Sequence, residues 1–316
     1  MWLQIRMYAV MAVLFAIVYA LLSLAGAYMG VGSFVFYAGL ATVMMLIQFL
    51  AGPKIVEWSM KVKYVSEKEN PKLHRMVEAL AREAKIPKPR IGISETNLPN
   101  AFAFGRWKSD SRVCVTRGIL NLLDDDELRA VLGHEISHIK NRDVLVITLI
   151  SVIPMIAWYL AWSFMFSGGR NRDSGNTIAI GIAAFGIYIL TNLLVLYASR
   201  VREYYADRGS VALGSRPNHL ASALFKLVYG SAKTSKDDLK QVEGMKAFFA
   251  SDPSRASSEI RELKELDKDM SGHIDVDELR AVRRKKLSVS RSGKMMEMLS
   301  THPNMLKRIH ALAEMQ

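Results

Sequence analysis

The chain has 316 residues, with 42 Lys+Arg against 30 Asp+Glu for a formal net charge of +12, and 50% of its residues are hydrophobic. Mean hydropathy is +0.12 although 23% of residues are charged, so the apolar residues must lie in blocks; that content excludes a disordered chain, and Cys114 as the single cysteine excludes a disulfide scaffold. The length allows one large domain or two smaller ones, and the basic balance fits either nucleic acid or an anionic membrane face, with the apolar blocks favouring the membrane.

The first block, Met7–Tyr28, and the second, Phe34–Leu50, carry no Asp, Glu, Lys or Arg. Each approaches the ~20 residues that cross a hydrocarbon core of about 30 Å. Arg6 and the small residues Ala25–Ala27 would also suit a cleaved signal peptide, but the second block follows closely, which favours an uncleaved hairpin over residues 1–52.

A polar segment follows over residues 53–143. Asn70-Pro71 opens a helix toward Ala84, with Leu73, Met76, Val77 and Leu80 at helical spacing. Arg90–Ser94 and Arg112–Thr116 alternate like strands, and Asn100-Ala-Phe-Ala-Phe-Gly105 between them reads as a third. Asp124 with Glu127 has the form of a capping box opening a helix toward Asn141.

That helix carries His134-Glu135-Ile136-Ser137-His138. Histidines four apart share a helix face and can bind one ion, and the intervening Glu135 can take a proton from a water the ion activates. Zinc suits imidazole and carboxylate ligands. A structural alternative is a surface helix with two histidines.

Two more uncharged blocks, Val144–Phe166 and Ile178–Tyr197, form a second expected hairpin over residues 144–198. Four buried core helices are the soluble alternative, but such helices usually show a polar stripe, and these do not. Lys54, Lys61 and Lys63 follow the second block, and Arg200 and Arg202 follow the fourth; Arg170 and Arg172 lie in the opposite turn. The excess places the polar segments in the cytoplasm, with the chain multi-pass in the plasma membrane.

The second polar segment, residues 199–316, opens with Glu203-Tyr-Tyr-Ala-Asp207. Glu203 and Asp207 share a helix face, so Glu203 could complete a two-His, one-Glu site while Asp207 hydrogen-bonds a ligating imidazole. Alternatively both are salt-bridge partners of Arg200, Arg202 and Arg208. If the third and fourth blocks form a hairpin, both motifs meet at one membrane surface.

An insert over about residues 254–285 contains a second metal motif. Asp267, Asp269, Ser271, the backbone carbonyl of His273, Asp275 and Glu278 occupy the ligand positions of a twelve-residue EF-hand-type loop, with Gly272 at its sharp turn. Ile260, Leu263 and Leu266 precede it and Leu279 and Val282 follow at helical spacing. Calcium is the expected ion; a solvated acidic turn is the plain alternative. Arg284-Lys-Lys286 and Arg291 read as a solvated face or a contact with anionic lipid. No nucleic-acid motif is present in the sequence.

His134-Glu-Ile-Ser-His138, Ser199-Arg-Val-Arg-Glu203-Tyr-Tyr-Ala-Asp207, Asn100-Ala-Phe-Ala-Phe-Gly105 and Thr301-His-Pro-Asn-Met-Leu-Lys-Arg308-Ile together resemble HtpX, a family of membrane-bound zinc metallopeptidases. The resemblance covers nearly the whole chain except the insert. Prenyl-protein endopeptidases are similar in motif but have more membrane spans. The resemblance implies that His134, His138 and Glu203 bind one catalytic Zn2+, that Glu135 is the general base, and that Asp207 supports the site. It implies that Asn100, Ala101, Phe102 and Ala103 pair with an extended substrate and that His302 and Arg308 stabilise the oxyanion. Substrates would be damaged or misassembled membrane proteins. The expected fold is mainly α, with four transmembrane helices and a zincin-like α+β domain carrying a small sheet. A calcium sensor with a structural zinc site is a competing class. A channel or transporter is disfavoured because the spans hold no ionisable residue.

Overall fold

A computed structural model describes residues 34–166, 174–232, 259–260, 263–284 and 291–316. The expected span Met7–Tyr28 lies outside them. The helices are α1 (Phe34–Ser59), α2 (Pro71–Ala84), α3 (Arg117–Leu122), α4 (Asp125–Asn141), α5 (Asp143–Phe166), α6 (Ser174–Ala212), α7 (Pro217–Ala232), α8 (Val276–Arg284), α9 (Arg291–Met298) and α10 (Met305–Ala313). The strands are β1 (Val62–Tyr64), β2 (Arg90–Ser94), β3 (Ala101–Gly105) and β4 (Ser111–Thr116). The protein is thus mostly helical with one small mixed sheet.

The chain divides into two compact units, one comprising residues up to Ala51 with Leu145–Val201, the other Gly52–Val144 with Arg202–Gln316. In the first, Ile150 and Ile153 of α5 pack with Val195 and Ala198 of α6, and Trp158 meets Tyr188 with ring centroids 5.2 Å apart. Among the described residues one helix, Ile178–Ala212, is long and apolar enough to cross a membrane. The expectation of four spans therefore still rests on the sequence.

The second unit is built on the sheet, ordered β1-β2-β4-β3. β2 runs parallel to β4, while β1 and β3 are antiparallel to their neighbours. Alternate strand residues face opposite sides. Val113 and Val115 of β4 therefore join α2, α4, α7 and α10 in the main core, whereas Cys114 packs with Phe102, Phe104, Val56 and Met60 on the other side. A strand covered on both faces reads as a continuous apolar run rather than an alternation. β1 went unread in the sequence: three residues, one intermediate and two exposed, carry no pattern.

Local signals set the helix that matters. Asp124 accepts from the Glu127 amide and the Glu127 carboxylate accepts from Asp124, closing the capping box of α4. At the other end Arg142 adopts φ 59°, and its N–H reaches back to the His138 and Ile139 carbonyls. This left-handed residue separates α4 from α5 and leaves Asp143 as the first residue of α5. The segment around the loop Asp267–Glu278 is attached to the same core: Leu263, Leu266, Ile274, Leu279 and Val282 are buried in the cluster that contains Leu132 and Ile136 of α4.

Candidate metal centre

His134 and His138 project from α4 on one face, with ring centroids 4.7 Å apart. Each Nδ1 faces a carboxylate: His134 Nδ1 lies 2.9 Å from Asp207 Oδ1, and His138 Nδ1 lies 2.6 Å from Asp143 Oδ2. Donation from Nδ1 to these acids assigns the tautomer and leaves both Nε2 atoms as lone-pair acceptors. The two Nε2 atoms are 3.1 Å apart, and the Glu203 carboxylate oxygens stand 3.5 Å from each.

Three electron-pair donors packed this closely repel unless a cation lies between them. Ligands at ~2.0–2.1 Å from a tetrahedral zinc are about 3.3 Å from one another, which brackets the observed separations. His134, His138 and Glu203 therefore fit a single metal ion, and they form a group able to hold one.

Glu203 and Asp207 come from α6, and what lets α6 approach α4 is the absence of side chains at the crossing. A Cβ at Gly209 would meet Ser137 Oγ at 1.9 Å, and one at Gly133 would meet Ser210 Oγ at 2.9 Å. The Ser210 hydroxyl donates to the Ala130 carbonyl at 2.6 Å, a side-chain bond between the two helices.

The site is buried and charged. Arg308, wholly buried, grips Asp207 through Nε (2.9 Å) and Nη2 (2.6 Å), and its Nη1 lies 3.1 Å from Glu203 Oε2. Burial disfavours the Arg308 charge, but the two carboxylates outweigh it and raise its pKa. Burial also opposes protonation of His134 and His138; Asp207 and Glu203 overcome it at His134, and Glu203 at His138, so both pKa values rise. Glu135 is raised mainly by burial, against the nearby histidines. His302 is buried, with Nδ1 2.9 Å from Thr301 Oγ1, and close enough to Glu203 to bear on its charge.

The strand at Asn100–Gly105 reaches the same place. β3 pairs with β4 along one edge, and among the described strands nothing pairs along the other. The Ala103 amide hydrogen-bonds the Glu135 carboxylate. Asn100 and Thr116 lock the start of the strand, with the Asn100 amide donating to Thr116 Oγ1 and the Thr116 amide to the Asn100 carbonyl, both at 2.9 Å.

The sequence reading missed Asp143, Gly209 and Ser210, and took Arg202 for a flanking charge or a partner of Glu203 and Asp207. Arg202 pairs with Asp143 Oδ1, which ties the start of α5 to the residue beside Glu203. The spacing of Asp143, five residues past His138, was the available signal.

In the loop Asp267–Glu278, read from the sequence as a calcium loop, oxygens of Asp267, Asp269 and Glu278 lie within 4.8 Å of one another. Gly272 has φ 79°, as its turn position requires. Asp275 Oδ1 caps the Glu278 amide at 2.7 Å, and the Ser271 amide donates to Asp267 and Asp269. The His273 ring points away, with Nδ1 3.3 Å from Glu127 Oε1.

Comparison with known proteins agrees with this geometry. The family model for peptidase family M48 matches residues 67–316. A "Protease HtpX homolog" of Methanothermobacter thermautotrophicus is 56% identical over 226 residues, covering 72% of this chain and 86% of that protein. "Protease HtpX homolog 2" of Methanosarcina acetivorans is 36% identical over 305 residues, 93% and 92% of the two chains. The crystal structure of S. mikatae Ste24p has the same fold at a TM-score of 0.52 and 19% identity; the match covers 94% of this chain and 62% of that one, less than two thirds of its length. The chain therefore belongs to peptidase family M48 and is a metalloprotease of the HtpX type.

Proposed function

We propose that the chain is a membrane-embedded, zinc-dependent endopeptidase that cuts extended segments of damaged or misassembled membrane proteins at the cytoplasmic face. The observation that carries this reading is the convergence of His134 Nε2, His138 Nε2 and Glu203 beside a Glu135 that touches the edge of β3.

His134, His138 and Glu203 would hold the ion. Zinc bound there would supply Lewis acidity, lowering the pKa of water and polarising the scissile carbonyl. Glu135 serves as general base: its buried carboxylate, with a raised pKa, accepts a proton from the attacking water and returns it to the leaving amide nitrogen. A substrate strand adds to the open edge of β3 along Asn100, Ala101, Phe102 and Ala103, which brings a peptide bond past Glu135. Asp207 and Asp143 orient the two imidazoles. Because Asp207 and Glu203 engage the guanidinium of Arg308, we assign that residue to positioning; His302 is then the better placed to meet an oxyanion.

The test is cleavage of an unfolded model protein by the full chain in detergent, wild type against Glu135→Gln, with zinc measured on both. Zinc in both and cleavage by wild type alone is expected. Zinc in both and equal cleavage would sink the assignment.

A second reading concerns the loop Asp267–Glu278. We propose that it binds Ca2+ through Asp267, Asp269, Ser271, the His273 carbonyl, Asp275 and Glu278. The contact of His273 with Glu127, inside the capping box of α4, supports a link from that ion to the start of the catalytic helix. Calcium should slow proteolysis of the loop and change peptidase activity; if it does neither, this reading fails.

A further inference from the structure

Three aromatic residues of the Gly52–Val144 segment stand out from the surface: Trp58, Tyr64 and Trp107 are 83%, 40% and 54% exposed. Trp107 is more than forty residues from the other two, but one ion-pair network links their segments. Glu57, the neighbour of Trp58, takes the Tyr64 hydroxyl and lies 3.2 Å from Arg112 Nε. Arg112 Nη1 lies 2.9 Å from Asp110 Oδ1, and Arg106 Nη1 lies 2.9 Å from Asp110 Oδ2. The Asp110 amide donates to the Trp107 carbonyl at 3.0 Å. The network thus ties the last turns of α1 to the tip of the β3–β4 hairpin, Arg106-Trp107-Lys108.

The setting of this cluster points to its partner. α1 is a 26-residue helix, and from Phe34 to Gly52 it contains no Asp, Glu, Lys or Arg. Charge begins at Lys54, and exposed apolar surface continues through Ile55 to Trp58. A helix that changes character this way, with tryptophan, tyrosine and lysine at the change, has the pattern of a segment leaving a bilayer. Through Glu57, three residues past Lys54, the hairpin tip is joined to the charged end of α1. Lys108 follows Trp107 at the tip, and Lys61 and Lys63 follow Trp58 in the chain, while Glu57 is held by Lys54 and Arg112 and Asp110 by Arg112 and Arg106. Exposed indole rings flanked by basic residues suit the headgroup layer of an anionic leaflet, where each Lys or Arg near the surface adds attraction.

We propose that Trp58, Tyr64 and the Trp107 tip form one lipid-binding surface that seats the peptidase on an anionic bilayer. This rests on the reading of the chain as a membrane protein. Its consequence falls on the substrate. β3 runs directly into the tip, and Gly105, at φ 151° with no room for a Cβ beside Asp110, fixes the exit of the strand. Ala103, which touches Glu135, is four residues before Trp107, or ~13 Å of extended chain. A tip in the headgroups holds the open edge of β3 within that distance of the interface. The chain cut there is the stretch of a membrane protein that has just left the bilayer.

The test uses the full chain reconstituted in vesicles of phosphatidylcholine and phosphatidylglycerol. A bimane label is placed at Trp107→Cys on a Cys114→Ala background, and at Asn121→Cys, beyond the other end of β4, as the comparison. Nitroxide lipids with the spin label near the headgroup should quench the Trp107 position at least twofold more than the Asn121 position. Vesicle flotation reports the membrane reading separately. A chain that floats with both labels equally unquenched overturns the docking surface and leaves the membrane reading intact; a chain that does not float overturns both. If the labelled variant does not fold, brominated lipids should quench wild type more than Trp107→Phe, and equal quenching overturns the proposal.

Discussion

Asp143 Oδ2 lies 2.6 Å from His138 Nδ1, and Arg202 holds the other oxygen of the same carboxylate. Asp207 stands in the equivalent place behind His134. Each imidazole is thus oriented by its own acid, and each acid is held by its own arginine, Arg202 or Arg308. The pairing links α4 to the start of α5 and to the residue that precedes Glu203.

Asp143→Ala should weaken zinc binding without dismantling the fold. Groups that orient a ligating histidine typically contribute 10–100-fold in metal affinity. Chelator competition on the purified chain should show a loss in roughly that range, with the helical circular dichroism kept. Unchanged affinity would mean that the Asp143 contact does not orient His138.

Arg308→Met should destabilise more than a surface change would. It leaves Asp207 and Glu203 buried without their cation, and breaking a buried pair costs ~3–5 kcal/mol. Arg308→Lys should recover only part of this, since a lysine cannot reproduce the two-pronged grip on Asp207. Thermal unfolding in detergent should rank wild type above Lys above Met. Zinc should narrow the gap, because a divalent ion also offsets the charge of Glu203.

Gly209→Ala should force α4 and α6 apart, since its Cβ would sit 2.5 Å from the Ser137 Cβ. Overpacking of this kind costs about 1–3 kcal/mol. Ser137→Gly in the same chain removes the obstacle, so the double variant should regain most of the stability and zinc binding lost by the single one. Failure of that rescue would show that the close crossing is not what Gly209 provides.

Cys114 should resist alkylation in the folded protein. Its thiol is wholly buried, and burial raises its pKa, so little thiolate is present near neutrality. Iodoacetamide should label it only as denaturant unfolds the sheet. Labelling under native conditions would show that β4 opens locally.

Much of the site was legible because its signals are local. A capping box depends on residues three apart, so Asp124 and Glu127 announced α4. Histidines four apart on that helix must share a face, so His134 and His138 stood out as a candidate metal pair from spacing alone. The short runs Arg90–Ser94 and Arg112–Thr116, read as strands, likewise fall on β2 and β4 of the sheet.

The rest depended on which helices cross and how closely. Arg308 meets Asp207 across 101 positions, and no local pattern predicts such a pairing. In the sequence Asp143 only closes a polar segment; Arg142, at φ 59°, turns the chain and sets the Asp143 carboxylate behind His138. Nothing in the sequence singles out Gly209 or Ser137, and only their crossing gives them a purpose. By itself the sequence determined the candidate ligand types and the helix that carries the two histidines, because both follow from backbone periodicity. The tertiary structure alone decided which acids and arginines orient those ligands, because that follows from the distance at which α4 and α6 pack.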